Sequence, residues 1–136
     1  MKHDIVLIDS GVNADHIIFK NKTINGLNLL NTTDYVCDNI GHGTAVYYLL
    51  QKYAPEADIF VVKIFDNEFS TSYDNLVQAL EYIYDNIECK IIHLSNGITY
   101  CEDIEYLKGL CHKFIEKGTF IVSGFDNGGD VYKRQW

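Results

Sequence analysis

Three short stretches of the sequence place an acid, a histidine and an amide where the backbone is flexible. Asp9 ends the apolar run IVLID, His42 lies in GHGTA and Asn127 lies in DNGG. A carboxylate at the edge of a core needs hydrogen-bond donors, and it can accept the Nδ1 proton of a histidine and fix its tautomer. An imidazole at a helix start can act as a base, because the helix dipole there disfavours its charged form. An amide in a glycine-rich turn can donate to a developing oxyanion.

Each stretch also has a structural interpretation when it is taken alone. The sequence around Asp9 is common in turns and caps, a single histidine is more often a core or surface residue, and the stretch around Asn127 is good turn chemistry. The catalytic hypothesis therefore depends on the three stretches occurring together in one chain.

The spacing of apolar residues predicts the elements that would position these side chains. Short apolar runs alternate with segments of helical period, which predicts an α/β fold: a three-layer open parallel sheet with helices on both faces. In such sheets functional groups gather beyond the carboxyl ends of the strands. Strands are predicted at 5–8, 24–30, 59–65, 91–94 and 120–122, and helices at 44–53, at 76–87 after a Thr71 or Ser72 cap, and at 103–117 with Gly118 as the C-cap.

Composition excludes several classes of partner. The net charge is -8, with 11 Lys and Arg against 19 Asp and Glu, so no nucleic acid and no membrane surface is expected as a partner. No apolar run approaches a membrane span, and the N-terminal residues do not resemble a secretory signal. The four cysteines lack the spacing of a zinc site or a disulfide framework, which indicates reduced thiols and a cytoplasmic protein.

The stretches IVLIDSGV, DNIGHGTA and IVSGFDNGG, in that order, resemble the Asp, His and oxyanion-Asn blocks of the subtilisin-like serine proteases, the subtilases. The resemblance implies that Asp9 and His42 are the catalytic acid and base and that Asn127 is the oxyanion donor. HLSNG is similar to the family segment whose backbone binds substrate, which implies a substrate-binding role for Ser95 and Gly97. It also implies a peptide or protein substrate. No cofactor is expected, and no metal site is predicted from these residues, since the loops of the calcium sites known in the family find no match here.

One family motif is absent from these 136 residues: Gly-Thr-Ser-x-Ala, which carries the nucleophile in the resembled proteases. The resemblance therefore implies a serine-type endopeptidase in an intact parent, with the fragment itself inactive. The segment DVYKRQ is identical to the translation of a transposon end used in sequencing libraries. We interpret residues 1–129 as part of a subtilase catalytic domain, C-terminally truncated, and residues 130–136 as a tail derived from that adapter.

Three alternative functions differ from this one in what the sequence would have to contain. A non-catalytic peptide-binding or protein-binding pseudoprotease of the same fold would also lack the nucleophile motif. A nucleotide-binding domain is disfavoured, because the turn after the first strand has neither G-x-G-x-x-G nor G-x-x-x-x-G-K-[ST]. A metal site is disfavoured because adjacent Cys111 and His112 point to different faces of a helix.

Overall fold

The computed structural model of the chain describes residues 1–66, 70–94, 97–98 and 100–123. Within these ranges five parallel strands form one sheet in the order β2-β3-β1-β5-β7, and β4 pairs with β6 in a separate two-stranded sheet. The α/β fold is as predicted, and so is the order of the helices and of the five strands of the large sheet, whereas β4 and β6 were not predicted. The strands are β1 Lys2–Asp9, β2 Asn25–Asn28, β3 Ile59–Lys63, β4 Ser70–Thr71, β5 Glu88–Leu94, β6 Gly97–Ile98 and β7 Phe120–Ser123, and the helices are α1 His42–Tyr53, α2 Tyr73–Asn86 and α3 Ile104–Glu116.

Strand β1 lies in the middle of the sheet and is covered on both faces. Val6 and Ile8 pack in the cluster that contains the apolar residues of α2 and α3, while Ile5 and Leu7 pack in the cluster on the α1 side. Because successive side chains of a strand point to opposite faces, this division follows from the apolar run itself. The result is the predicted three-layer arrangement with helices on both faces.

Two helix starts have side-chain caps, of which the Ser72 cap was predicted and the Asp103 cap was not. Ser72 accepts a hydrogen bond from the backbone N–H of Asn75 at the start of α2, and Asp103 accepts one from Tyr106 at the start of α3. Gly118, with φ +89°, follows the end of α3 in the left-handed conformation that glycine adopts most readily. Helix α3 therefore lies within one residue of its predicted range at each end, whereas α2 begins three residues before its predicted range, directly after the Ser72 cap.

The strands differ from the predicted ranges where pairing, rather than the apolar pattern, decides their length. Strand β5 begins at Glu88, before the predicted 91–94, because Glu88 pairs with Lys2 of β1. Strand β1 extends through Asp9, which pairs with Lys63 at the end of β3. The acid at position 9 is thus the last residue of the central strand rather than part of the turn after it.

The end of β1 and the start of α1 meet through two glycines. A Cβ placed on Gly43 would lie 2.1 Å from the carbonyl oxygen of Gly11, and one placed on Gly11 would lie 2.3 Å from the carbonyl oxygen of Val36. Neither backbone can come this close with a side chain in place. Gly41 differs, because its φ of +96° turns the chain into the helix while no atom lies within 4 Å of its ideal Cβ.

We expect Gly43→Ala to destabilise the chain by about 1–3 kcal/mol, because the methyl group would push α1 away from the end of β1. Gly109→Ala is the matched control: Gly109 lies in α3 with no atom within 4 Å of its ideal Cβ. Alanine there should stabilise the helix by up to about 1 kcal/mol. Urea unfolding of both variants checks this, and an equal effect of the two substitutions would contradict the close approach described here.

Candidate active site

Asp9 and His42 are in direct contact across the gap between β1 and α1. The His42 Nδ1 atom lies 2.8 Å from Oδ1 and 3.0 Å from Oδ2 of Asp9. The Asp9 side chain is fully buried, whereas 35% of the His42 side chain is exposed. One end of the pair is therefore enclosed by protein and the other is open to solvent.

The buried Asp9 carboxylate has the donors that its position demands. The backbone N–H of Ser10 donates to Oδ1 at 2.7 Å, beside the contact from His42. An ionised carboxylate only accepts hydrogen bonds, so the ring must present its Nδ1–H to Asp9. In the neutral ring this tautomer leaves the lone pair on Nε2, the nitrogen that can take a proton from another group.

Asp38 organises the loop that leads into α1. Its Oδ1 accepts hydrogen bonds from the backbone N–H groups of Ile40 at 3.0 Å and Gly41 at 2.9 Å. Its Oδ2 accepts from the backbone N–H of Thr44 at 3.0 Å and from the Thr44 hydroxyl at 2.6 Å. Burial alone would raise the pKa of Asp38, but the hydrogen bonds from Thr44, Gly41 and Ser10 outweigh it and hold the pKa below its usual 3.8. Asp38 thus satisfies donors at the helix start that carries His42.

Ser10 links this loop to β1. Its hydroxyl donates to Asp38 Oδ1 at 2.8 Å and accepts from the backbone N–H of Gly43 at 3.0 Å. The residue after Asp9 is therefore bonded to the residue after His42. The two members of the pair are held by neighbouring backbone as well as by their own contact.

A buried lysine supports the same loop from the other side. The Lys63 side chain is only 4% exposed, and its Nζ donates to Oδ1 of Asp66 at 2.7 Å and to the carbonyl oxygen of Cys37. Asn39 also donates to Asp66 Oδ1. These contacts join the end of β3 to residues 37–39 of the loop that leads to His42. Sequence reasoning missed both Asp38 and Lys63 as parts of the site.

The structure describes only some of the predicted site residues. Gly97 lies in β6, where it pairs with Ser70 of β4. Ser95 and Asn127 lie outside the described residues, as do residues 124–136. The four cysteines carry no disulfide.

Comparison with known proteins identifies the class to which this arrangement corresponds. No family model matches the chain. An intracellular serine protease of Paenibacillus polymyxa is 27% identical to this chain over an alignment of 139 residues. The alignment covers 93% of this chain and 42% of that protein. A cold-adapted subtilisin-like serine proteinase aligns with a TM-score of 0.72 at 20% identity, over 88% of this chain and 45% of its own. A lanthipeptide protease aligns with a TM-score of 0.61 at 25% identity, over 84% of this chain and 34% of its own.

The chain therefore has the subtilisin-like fold, and its resemblance to the subtilisin-like serine proteases is confirmed in sequence and in structure. It spans less than half the length of each of these relatives. No helix in the described part of the chain is long and apolar enough to span a membrane.

We expect Asp38→Asn to destabilise the chain by about 1–3 kcal/mol, because the new amide group would face the N–H of Thr44 and leave a donor unpaired. Above pH 3.8 the ionised Asp38 carboxylate stabilises the folded wild-type chain. This stabilisation is lost as the pH falls from 3.8 through the lower pKa of Asp38 in the folded chain, because the unfolded chain binds the proton more tightly. The Asp38→Asn variant should lack the part of the loss of stability in acid that comes from this carboxylate.

Exposed Asp34 provides the control with the same change of charge, Asp34→Asn, which should leave stability nearly unchanged. Urea unfolding at several pH values measures both variants. Equal losses in the two would show that Asp38 does not hold the start of α1.

Proposed function

We propose that this chain is the part of a subtilisin-like serine endopeptidase that supplies its acid and its base. In this proposal Asp9 orients His42, and His42 takes the proton of the nucleophile through Nε2 as that hydroxyl attacks a peptide carbonyl. Asn127 stabilises the oxyanion, and the backbone of Ser95 and Gly97 binds the substrate as an added strand. The observation that carries the proposal is the contact between the buried Asp9 carboxylate and Nδ1 of His42.

We propose further that the 136 residues alone hydrolyse no peptide. The serine nearest to the pair in sequence is Ser10, but its hydroxyl already donates to Asp38 and accepts from Gly43. Ser72 is engaged as the cap of α2. A hydroxyl without a base in reach is a weak nucleophile. The nucleophile of the proposed reaction would come from a Gly-Thr-Ser-x-Ala segment, which this sequence lacks.

The names of the relatives support a peptide or protein substrate and a cytoplasmic site of action. One is called an intracellular serine protease and another a lanthipeptide protease. We extend these properties to the parent of residues 1–129, with residues 130–136 as a non-native tail. A non-catalytic peptide-binding or protein-binding pseudoprotease of the same fold is the alternative, and a continuation of the reading frame without Gly-Thr-Ser-x-Ala would favour it.

The role of the pair can be tested on the chain itself through the tautomer of His42. Nitrogen-15 spectra of the neutral ring should show the proton on Nδ1, because Asp9 accepts it. Asp9→Asn should raise the fraction with the proton on Nε2, since an amide can present its own N–H to the ring. Asp34→Asn is the control and should leave the ring unchanged. An Nε2–H ring in the wild-type chain would overturn the proposal.

A fluorophosphonate probe tests the proposal that these residues supply the acid and the base while a further segment supplies the nucleophile. The 136-residue chain should not be labelled at any serine, because its sequence lacks the Gly-Thr-Ser-x-Ala segment that would supply the nucleophile. A longer product of the same reading frame that includes a Gly-Thr-Ser-x-Ala segment should be labelled. In that product Asp9→Asn should slow labelling by about 10³-fold or more, as loss of the orienting carboxylate does in such triads. Labelling of the short chain would overturn the proposal that these 136 residues lack the nucleophile, whereas a longer reading frame without the motif would favour the pseudoprotease.

A further inference from the structure

A second histidine lies on the same face of the sheet as the Asp9–His42 pair. His93 of β5 pairs with Leu7 of β1, and Asp9 is two residues beyond Leu7 on that strand. Paired residues of parallel strands, and residues two apart in one strand, point to the same side. Leu7 and the neighbouring Ile91 of β5 both pack on the α1 side, so the His93 ring points there as well.

The environment of His93 favours an uncharged ring. Its Nδ1 is buried and has no hydrogen-bond partner among the residues that the structure describes. A charged imidazole carries a proton on both nitrogens, so charging this ring would add an N–H group where no described acceptor lies. Burial lowers the pKa of His93 from its usual 6.5; the Asp9 charge raises it and the His42 charge lowers it further.

The groups that face His93 come from few elements. On one side β1 contributes Asp9, and the start of α1 contributes His42. On the other side β7 places Val122 opposite His93, and its four residues, FIVS, carry no charge. Lys63 of β3 points to the same face as Asp9, but β3 lies across β1 from β5, and Lys63 is paired there with Asp66. On this face Asp9 is in contact with His42, and it lies two residues along β1 from Leu7, the partner of His93.

We propose that His93 is a positioning residue of the Asp9–His42 pair: an uncharged second imidazole on the same face of the sheet as Asp9, so that a charge on His93 opposes a charge on His42. The proposal rests on the proposed function, because it gives His93 a role only where His42 acts as a base. In a parent protease, a charge on His93 would oppose the imidazolium that forms when His42 takes the proton of the nucleophile. The ring would therefore favour catalysis while neutral and suppress it in acid.

The sign of the pH dependence follows from the lowered pKa. Below pH 6.5 the unfolded chain binds a proton at His93 more readily than the folded chain does, so stability falls as pH falls from 6.5 through the folded pKa. A charge on the His93 ring would thus lower the stability of the fold and oppose proton uptake by His42. In this proposal the acid sensitivity of the site comes from His93, on the strand next to that of Asp9.

The test is the titration of the His93 ring, followed by nitrogen-15 and proton spectra of the full chain across the range in which imidazoles titrate. Asp9→Asn should move the midpoint of His93 to lower pH, because it removes the attracting charge. His42→Gln should move it to higher pH, because it removes the opposing one. Each shift should be about 0.5 pH unit or more.

The matched control is His112→Gln. His112 is exposed on α3, which packs against the opposite face of the sheet, so the midpoint of His93 should not change. Shifts in the same direction in both variants, or no shift in His42→Gln, would overturn the proposal. If Asp9→Asn loses its folded spectrum, His42→Gln alone decides, since it removes a half-exposed ring rather than a buried charge.

This result can be separated from a failure of the proposed function. If the His42 ring carries its proton on Nδ1 and responds to Asp9→Asn, the acid–base pair stands whatever His93 does. If the titration midpoint of His93 then stays unchanged in His42→Gln, only the role proposed for His93 is rejected. An Nε2–H tautomer of His42 would instead reject the proposed function.

Discussion

The burial of the Asp9 carboxylate is the constraint on which the surrounding structure depends. A fully buried carboxylate is costly unless donors meet it, and here the donors are the Ser10 N–H and the ring of His42, 33 residues further along the chain. That requirement fixes where α1 must begin. The close approach of Gly43 to Gly11 and the hydrogen bonds of Ser10 and Asp38 allow the helix to begin there without strain.

The parallel sheet brings the charged groups of this region together. Because β1, β3 and β5 run in the same direction, their carboxyl ends meet at one edge, and the register aligns Asp9 with Lys63 and places His93 beside Leu7. Each group has a different task. Lys63 holds the loop before α1, Asp9 meets His42, and His93 lies on the third strand with its Nδ1 buried.

The parts of the fold that depend on local pattern could be predicted from the sequence. Apolar runs indicated the strands, Ser72 and Asp103 indicated helix starts, and the motifs around Asp9 and His42 indicated a contact between them. Lys63 and His93 could not be assigned, although each interrupts an apolar run, because their neighbours depend on the register between strands distant in sequence. Asp38 was missed because its partners become visible only when the loop folds around it.

The energetic cost of this arrangement bears on what the chain is for. Replacing a buried charged pair by apolar residues is often neutral or stabilising, so a domain used only for binding peptides has no physical need of a buried Asp9. The tautomer that Asp9 imposes on His42 is of use where the ring must accept a proton at Nε2. A strained or costly group that the surrounding contacts hold in place is typical of catalytic sites. These features of the Asp9–His42 pair support the proposed hydrolysis over passive recognition.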